Sequence, residues 1–174
     1  MPQNLNKSDF ILRPATALDV DRCWQILQQG KAQMFREGKK QWTETYPSRQ
    51  SVETDLERGA AYVLERRSEV VAYGAVIFDG EPAYAQIEDQ WLTHGNYVVI
   101  HRLAVADEAK RQGVATEYFE QVMRLAARRS VHSIKVDTNY DNFYMQHLLA
   151  RLDFTYCGDV IYPQGSRLAY EKVF

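Results

Sequence analysis

One stretch in the second half of the chain has the pattern of a strand that runs through a short loop into a helix. Residues 97–105 form an apolar run that contains the β-branched Val98, Val99 and Ile100, which suit a pleated strand. From Val114 onward, apolar side chains recur at the spacing of one helical face. Because a strand that feeds a helix through a short loop is typical of α/β folds, this stretch restricts the chain to that class.

The junction between this strand and this helix is a candidate anion site. Gly113 stands at the turn, and Lys110 and Arg111 precede it. The first turn of a helix leaves backbone N–H groups without partners, and the helix dipole attracts negative charge there. The small Ala115 lets a bulky anion approach the backbone, which favours phosphate. A single glycine before a helix is also a common turn residue, so the combination with small and basic residues carries the prediction.

Composition restricts the broad class of protein. The 174 residues, of which 45% are hydrophobic and 25% charged, are expected to form a single domain over 1–174. A net charge of −2 gives no electrostatic case for binding nucleic acid or an anionic membrane, and no apolar run approaches the roughly 20 residues of a membrane span. The polar segment 1–9 lacks an apolar signal core, so a cytoplasmic location is expected. Cys23 and Cys157 lie near no histidine cluster, which favours buried thiols over a disulfide or a metal site.

Predicted elements alternate along the rest of the chain. Thr16 and Asp19 form a capping-box pattern that opens a helix, and this helix is expected to break at Gly30. Residues 84–96 show no clear period. The other expected elements are a strand at 10–13, a helix at 50–58, a hairpin of 60–65 and 70–78, a strand at 133–138, a helix capped by Asn142, and closing strands at 154–160 and 167–173.

Two of these segments resemble motifs of the GNAT superfamily of acyl-CoA-dependent N-acetyltransferases. Residues 103–105 read Leu-Ala-Val, like the Leu-x-Val end of the family's central strand. Residues 110–115 read Lys-Arg-Gln-Gly-Val-Ala, which is similar to the family's Arg/Gln-x-x-Gly-x-Gly/Ala signature with lysine in the first place. Residues 137–154 are similar to its second cofactor-binding segment. The resemblance covers residues 100–174 well and the N-terminal half more loosely.

This resemblance implies a fold and a cofactor. The implied fold is a mixed, mainly antiparallel twisted sheet with helices on both faces, whose parallel pair, 97–105 and 133–138, splays apart. The implied cofactor is acetyl-CoA, with its pantetheine arm along the strand backbone and its pyrophosphate on the amides of 112–116. Asn142 is either a second contact to this arm or a helix cap alone. The residues implied to bind the cofactor are Leu103, Ala104, Val105, Lys110, Arg111, Gln112, Gly113, Val114, Ala115, Thr116 and Asn142.

The resemblance also implies direct attack of a neutral amine on the thioester, which requires a base. Many relatives carry a carboxylate two residues before the leucine of Leu-x-Val, and here that position is His101, whose imidazole suits proton transfer at neutral pH. Strand alternation is expected to place His101 on the side of Leu103 and opposite Arg102. A histidine hydrogen-bonded within the sheet is the alternative, and Glu88 and Asp89 are competing bases.

The family's usual general acid is a tyrosine on the second cofactor helix, but Leu149 occupies that position. Either Tyr140 or Tyr144 takes over this role, or the thiolate leaves without an acid, which a thiol pKa of about 8.5 permits.

The implied acceptor is an amine of a small molecule or a peptide. Trp42, Tyr46 and Trp91 are candidates for the walls of its pocket. Two other functions stay open: a non-catalytic acyl-CoA-binding module, which Leu149 suggests, and a dinucleotide-binding oxidoreductase, whose glycine fingerprint is mostly missing here. The oligomeric state is also open, with a homodimer paired through the closing hairpin as one alternative.

Overall fold

The computed structural model describes residues 9–174, which form one seven-stranded sheet with helices around it. All of the polar segment 1–9 except Asp9 therefore lies outside the described residues. The strands are β1 (Phe10–Pro14), β2 (Ala61–Arg66), β3 (Glu69–Ile77), β4 (Val98–Val105), β5 (Ser133–Thr138), β6 (Thr155–Tyr162) and β7 (Gly165–Val173). The helices are α1 (Val20–Arg36), α2 (Arg49–Glu57), α3 (Val114–Arg128) and α4 (Phe143–Arg151), with a 3-10 segment at Pro82–Gln90.

The sheet order is β1-β2-β3-β4-β5-β7-β6. Within residues 9–174, five of the six strand pairs are antiparallel, and β4 and β5 form the parallel pair through the crossover helix α3. Only Val98 and Val99 of β4 are in register with β5, opposite Ile134 and Lys135, so the two strands diverge beyond those positions. This confirms the predicted fold class and its splayed pair, and it excludes the mainly parallel sheet that the dinucleotide-binding alternative requires.

A bulge interrupts β4 where it leaves β5. His101 lies opposite Ala75 and Ala104 lies opposite Tyr73, so two residues of β4 face one residue of β3. Arg102, inside the bulge, has a φ of 56°. This conformation breaks the regular alternation on which the prediction for Arg102 and His101 rests, and both residues line the same cavity.

Helix α1 begins as predicted and ends later than predicted. Asp19 accepts a hydrogen bond from the Thr16 backbone N–H at 2.7 Å, in a capping box that leads into the helix. The predicted break at Gly30 is wrong, because α1 continues to Arg36. A side chain at Gly30 would have its Cβ 2.9 Å from the ring of Trp42, so this glycine makes room for an aromatic residue rather than ending the helix.

Two groups of buried side chains form the core. The larger group joins α1 and α3 to the sheet, with Ile26, Leu27, Tyr118 and Phe119 among its most buried members. The smaller group packs the 3-10 segment Pro82–Gln90 against the far strands of the sheet. Its members are Tyr84, Ile87, Trp91, Val99, Cys157, Val160 and Ala169. Both cysteines are buried and free, as predicted.

Candidate active site

The N-terminus of α3 presents a row of unused backbone N–H groups. Gly113 has a φ of 75°, and the first backbone bond into the helix runs from the Glu117 N–H to the Gly113 carbonyl at 3.0 Å. Within the part of the chain that the structure describes, the amides of 112–116 have no protein acceptor. A Cβ placed on Gly113 would meet no atom within 4 Å, so open space lies before these amides. We call residues 112–116 the amide cradle.

Side chains fix the loop that leads to the amide cradle. The Lys110 ammonium donates to Gln33 of α1 and to Asp107, whereas Arg111 is exposed with a φ of 60°. Gln112 accepts from the Arg66 guanidinium at 2.6 Å. The side chains of Val114 and Ala115 are buried and that of Thr116 is half-buried, so Val114 and Ala115 can offer a ligand only their backbone.

The other predicted cofactor segment is the end of β4. Ala104 and Val105 are in register with β3, opposite Tyr73 and Ala72. Among residues 9–174, no partner strand lies on their other side, because β5 has already diverged. Leu103, Ala104 and Val105 therefore present one free backbone edge, to which an extended ligand with amide groups can add like a strand.

A cavity of about 600 Å³ lies where β4 and β5 diverge. We call it the central cavity. Its wall comes from the segment between α1 and α2, from the bulge of β4, from the end of β5 and from the β6–β7 hairpin. Polar residues of this wall include Tyr46, Glu81, His101, Arg102, Asp137, Tyr162 and Arg167.

His101 lies in this wall and contacts Glu81 rather than another residue of the sheet. Its Nε2 lies 2.9 Å from Glu81 Oε2, while Glu81 Oε1 accepts from the Ala83 N–H at 3.2 Å. The hydrogen bond from His101 lowers the pKa of the Glu81 carboxyl below its usual value, so Glu81 is a carboxylate at neutral pH. Because a carboxylate can only accept, Nε2 carries a proton, and in the neutral imidazole Nδ1 then has the lone pair that a base requires.

A second carboxylate faces the cavity from β5. Asp137 Oδ2 accepts from the hydroxyls of Tyr84 at 2.7 Å and Tyr162 at 2.8 Å. Burial, followed by the charge of Asp137, raises the pKa of both phenols, so neither tyrosine is a good proton donor. Neutral donors thus hold Asp137 in place without cancelling its charge.

The bulged Arg102 is tied to helix α2. Its Nε and Nη2 donate to the two oxygens of Asp55, at 3.0 and 2.6 Å, and its Nη1 donates to the Tyr46 hydroxyl at 3.0 Å. Tyr73 also donates to the buried Asp55. The charge of Arg102 is therefore neutralised inside the protein, and its third contact fixes Tyr46 in the wall of the central cavity.

Asn142 has two protein contacts. Its Oδ1 accepts from the Met145 N–H at 3.2 Å, so Asn142 is the N-cap of α4, and its Nδ2 donates to Gln41 at 3.2 Å. Gln41 Oε1 also accepts from Thr138 Oγ1 and the Asn139 N–H, each at 3.2 Å. Gln41 thereby joins the α1–α2 segment to the end of β5. The cap is thus observed, and a cofactor contact at Asn142 stays a prediction.

Several predicted candidates lie elsewhere. Trp42 and Tyr46 line the central cavity, but Trp91 is buried under the 3-10 segment, where its Nε1 donates to the Tyr84 carbonyl. Glu88 and Asp89 are exposed and outside the cavity wall. Leu149 is fully buried in the core. Tyr140 and Tyr144, the proposed substitute acids, are 67% and 57% exposed and do not line the cavity.

Sequence reasoning did not assign four charged residues to the wall: Glu81, Arg102, Asp137 and Arg167. Alternation along β5 pointed to Asp137 as the polar residue of a buried strand. Glu81 gave a weak signal, a carboxylate before Pro82 in a turn. No local pattern marked Arg102, because its position depends on the bulge.

The fold and the open parallel pair are those of an acyltransferase. The model of the Acetyltransferase (GNAT) family matches residues 24–154, and the chain therefore belongs to this family. No curated protein sequence matches the chain significantly.

Solved structures show the same architecture. A GNAT family acetyltransferase from Streptococcus agalactiae 2603 is 28% identical with a TM-score of 0.87, and the alignment covers 98% of this chain and 99% of that one. A GNAT family acetyltransferase from Listeria monocytogenes (17%, TM-score 0.76, 95% of both chains) shares the fold. So does a ribosomal-protein-alanine N-acetyltransferase from Brucella melitensis (20%, TM-score 0.67, 94% and 99% of the chains). Within residues 9–174, no helix is long and apolar enough to cross a membrane.

Proposed function

We propose that this enzyme transfers an acetyl group from acetyl-CoA to a primary amine of a small molecule or a peptide. The observation that carries this proposal is the amide cradle at Gly113, together with the free edge of β4, whose Leu103 also lines the central cavity. A chain of unpaired donors that ends at a histidine with a free lone pair fits a ligand that is a diphosphate at one end and reactive at the other.

The residues that would hold the cofactor are those of the cradle and the strand edge. The amides of 112–116 and the helix dipole suit the pyrophosphate, and the exposed Arg111 adds positive charge beside it. Lys110 is bound to Gln33 and Asp107, so we assign it to the shape and charge of the loop. The backbone of 103–105 suits the amides of the pantetheine arm. Asn142 bounds the cavity from the side of α4.

His101 is the proposed base. Bound acetyl-CoA would supply an activated thioester carbonyl. Because only a neutral amine can attack this carbonyl, the protein must remove a proton from the ammonium group of the acceptor. His101 Nδ1 takes the proton of the acceptor amine, while Glu81 holds the ring and stabilises the imidazolium that forms. A β4 amide near Leu103 is the candidate donor to the oxygen on which negative charge develops.

The proton of the departing thiol has two candidate sources. A thiol pKa of about 8.5 makes the thiolate a tolerable leaving group without an acid. Tyr46 is the cavity tyrosine whose oxygen accepts from Arg102, which leaves its own proton free to donate.

We expect the enzyme to act in the cytoplasm, since acetyl-CoA is an intracellular metabolite.

A thiol-release assay tests the proposal. The protein is incubated with acetyl-CoA and a panel of amines, amino acids and peptides, and free CoA is measured together with the acetylated product. Release that depends on an acceptor supports the proposal. Tight CoA binding without release from any acceptor would indicate the non-catalytic module instead, and the absence of CoA binding would reject both.

A further inference from the structure

Arg167 is a cavity residue whose positive charge is not paired with any carboxylate of residues 9–174. It stands near the start of β7, in the hairpin that closes the central cavity. Its Nη1 donates to Asn139 Oδ1 at 3.1 Å and to the Ser166 carbonyl at 3.2 Å. Asn139 is itself buried and donates to Asp141 at 2.7 Å, so Arg167 is held by a fixed neutral partner. Its Nε and Nη2 donate to no acceptor within residues 9–174.

This arrangement differs from that of the other basic side chains in the wall. Arg102 is paired with both oxygens of Asp55, and His101 is paired with Glu81. Within the described residues, no carboxylate forms an ion pair with Arg167. The Arg167 guanidinium is therefore held in place by hydrogen bonds but is not neutralised. Such a group in a cavity wall is complementary to an anion.

The cavity also holds the opposite charge. The Asp137 carboxylate accepts hydrogen bonds from two tyrosine hydroxyls and is paired with no cation of the described chain. One of these tyrosines, Tyr162, lies close enough to Arg167 for the positive charge of Arg167 to act on its pKa in the lowering direction. Within residues 9–174, this cavity therefore contains a positive and a negative side chain that each lack an ion-pair partner. A ligand that carries an ammonium and an anion would complete both.

A carboxylate fits this anion position better than a phosphate does. The free Nε and Nη2 of a guanidinium form a planar fork that matches two carboxylate oxygens. A phosphate dianion would face the single charge of Arg167 together with the repulsion of Asp137 and Glu81. The sheet order also separates Arg167 from the cofactor segment, because β5 lies between β4 and β7.

On the basis of the proposed function, we propose that Arg167 binds the carboxylate of the acceptor and that the acceptor is a free amino acid. Its amine then lies toward His101 and the carboxylates of Glu81 and Asp137. Arg167 is thus a specificity-determining residue that selects an acidic group next to the reacting amine.

The experiment compares acceptors that differ only in the carboxylate. Each amino acid of a panel is assayed beside its carboxamide and its decarboxylated amine, with acetyl-CoA saturating. The wild type is expected to prefer the acid by about 10- to 100-fold in kcat/KM. This is the contribution expected from one bidentate pair of charge-assisted hydrogen bonds between a guanidinium and a carboxylate. In Arg167→Gln the preference for the acid over its carboxamide and its decarboxylated amine should vanish through a higher KM for the acid. Arg167→Lys, which keeps the charge but loses the fork, should retain part of the preference.

Two controls separate the outcomes. Arg128→Gln removes an exposed arginine at the end of α3 and should leave the preference intact. The Kd for CoA should be the same in Arg167→Gln as in the wild type, and a weaker Kd would assign Arg167 to the cofactor and overturn the inference. Turnover without any preference for acids, or only with C-terminally amidated peptides, would overturn it as well while leaving the proposed function intact. No turnover with any acceptor would reject the proposed function itself.

Discussion

At the scale of single residues, the hydrogen bonds of the site leave specific atoms unused. Glu81 accepts from the Ala83 N–H with one oxygen and from His101 with the other, and both contacts fix the position of its carboxylate. Within residues 9–174, three sets of atoms have no hydrogen-bond partner: Nδ1 of His101, Nε and Nη2 of Arg167, and the backbone amides of the cradle around Gly113. These atoms are the ones that the proposed reaction would require, because an acceptor amine needs a base and the two proposed ligands need donors.

Replacing the proposed base tests the residue-scale account. His101→Ala is expected to lower kcat by about 100-fold or more, the usual contribution of a positioned general base. It should also remove the acid limb of the pH profile, because no imidazole is left to be protonated. Stopped assays across pH, with CoA binding as a control for folding, measure both effects. An unchanged pH profile would remove His101 from this role.

Glu81→Gln provides a second variant at the same contact. A glutamine keeps the shape but cannot stabilise the imidazolium, so kcat should fall about tenfold or more while the KM for acetyl-CoA stays the same. A loss in KM alone would assign Glu81 to binding instead.

Single residues were predictable where the backbone alone decides their position. The glycine at 113 and the cap at Asn142 follow from local chemistry, and the structure shows the local conformations that both predictions assumed. The contact between Glu81 and His101 was not predictable, because it joins a turn to a strand 20 positions away in the sequence. Leu149 was conspicuous only against the family pattern, and its burial shows that it fills the core.

At the scale of elements, the start of α1 depends on an ion pair. Arg13 of β1 donates to both oxygens of Asp19, at 2.8 and 3.0 Å, and Asp19 also accepts from the Thr16 N–H. The hydrogen bonds from Arg13 lower the pKa of the Asp19 carboxyl. A lowered pKa means that the folded state favours the carboxylate. The stabilisation is therefore complete above the ordinary carboxyl value of 3.8 and disappears as the pH falls through the pKa of the folded state.

The expected change for Asp19→Ala is a loss of about 1–3 kcal/mol in the free energy of unfolding at pH 7, because the cap and the contact with Arg13 both disappear. Urea unfolding from pH 7 to about pH 2.5 measures it. The difference between variant and wild type should shrink at the acidic end, and an equal loss at every pH would contradict the assignment.

The contact between α1 and the cavity wall gives another element-scale test. Gly30→Ala places a methyl group 2.9 Å from the ring of Trp42, which is buried, so the variant should lose about 1–3 kcal/mol in the free energy of unfolding. In a Trp42→Leu background the same change should instead gain about 1 kcal/mol, since alanine favours a helix over glycine. Chemical unfolding of the four proteins completes the cycle, and a stabilising effect in both backgrounds would show that the ring does not restrict Gly30.

Elements were predictable where one local pattern controlled them. The alternation of β5 and the helical face of α3 gave boundaries close to those observed. The local pattern gave the wrong result at Gly30, where the contact with Trp42 and not a helix end explains the glycine. It also gave the wrong result at the bulge of β4, where Arg102 pairs with Asp55 and has a positive φ. Both failures have the same physical reason: a tertiary contact overrides the local preference.

At the scale of the whole molecule, the site lies where one sheet changes its pairing. The proposed cofactor segments belong to β4 and α3, while the proposed acceptor wall comes from the α1–α2 segment, from Glu81 before the Pro82–Gln90 segment and from the β6–β7 hairpin. This division explains why the C-terminal half showed its role in short motifs and the N-terminal half did not. An acceptor wall gathered from three distant segments leaves no pattern in any one of them. Pairing with a second copy through the closing hairpin stays a prediction.

The most direct test of the central claim is the affinity for CoA when the cradle is blocked. Gly113 and Gly59 share a positive φ, 75° and 68°, and at both a new side chain would meet open space. Gly113→Glu and Gly59→Glu therefore carry the same backbone strain and the same added charge. Calorimetric titration with CoA should show about a 100-fold or greater loss for Gly113→Glu and wild-type affinity for Gly59→Glu. Equal affinities in the two variants would contradict the claim that backbone amides at the start of α3 hold the diphosphate.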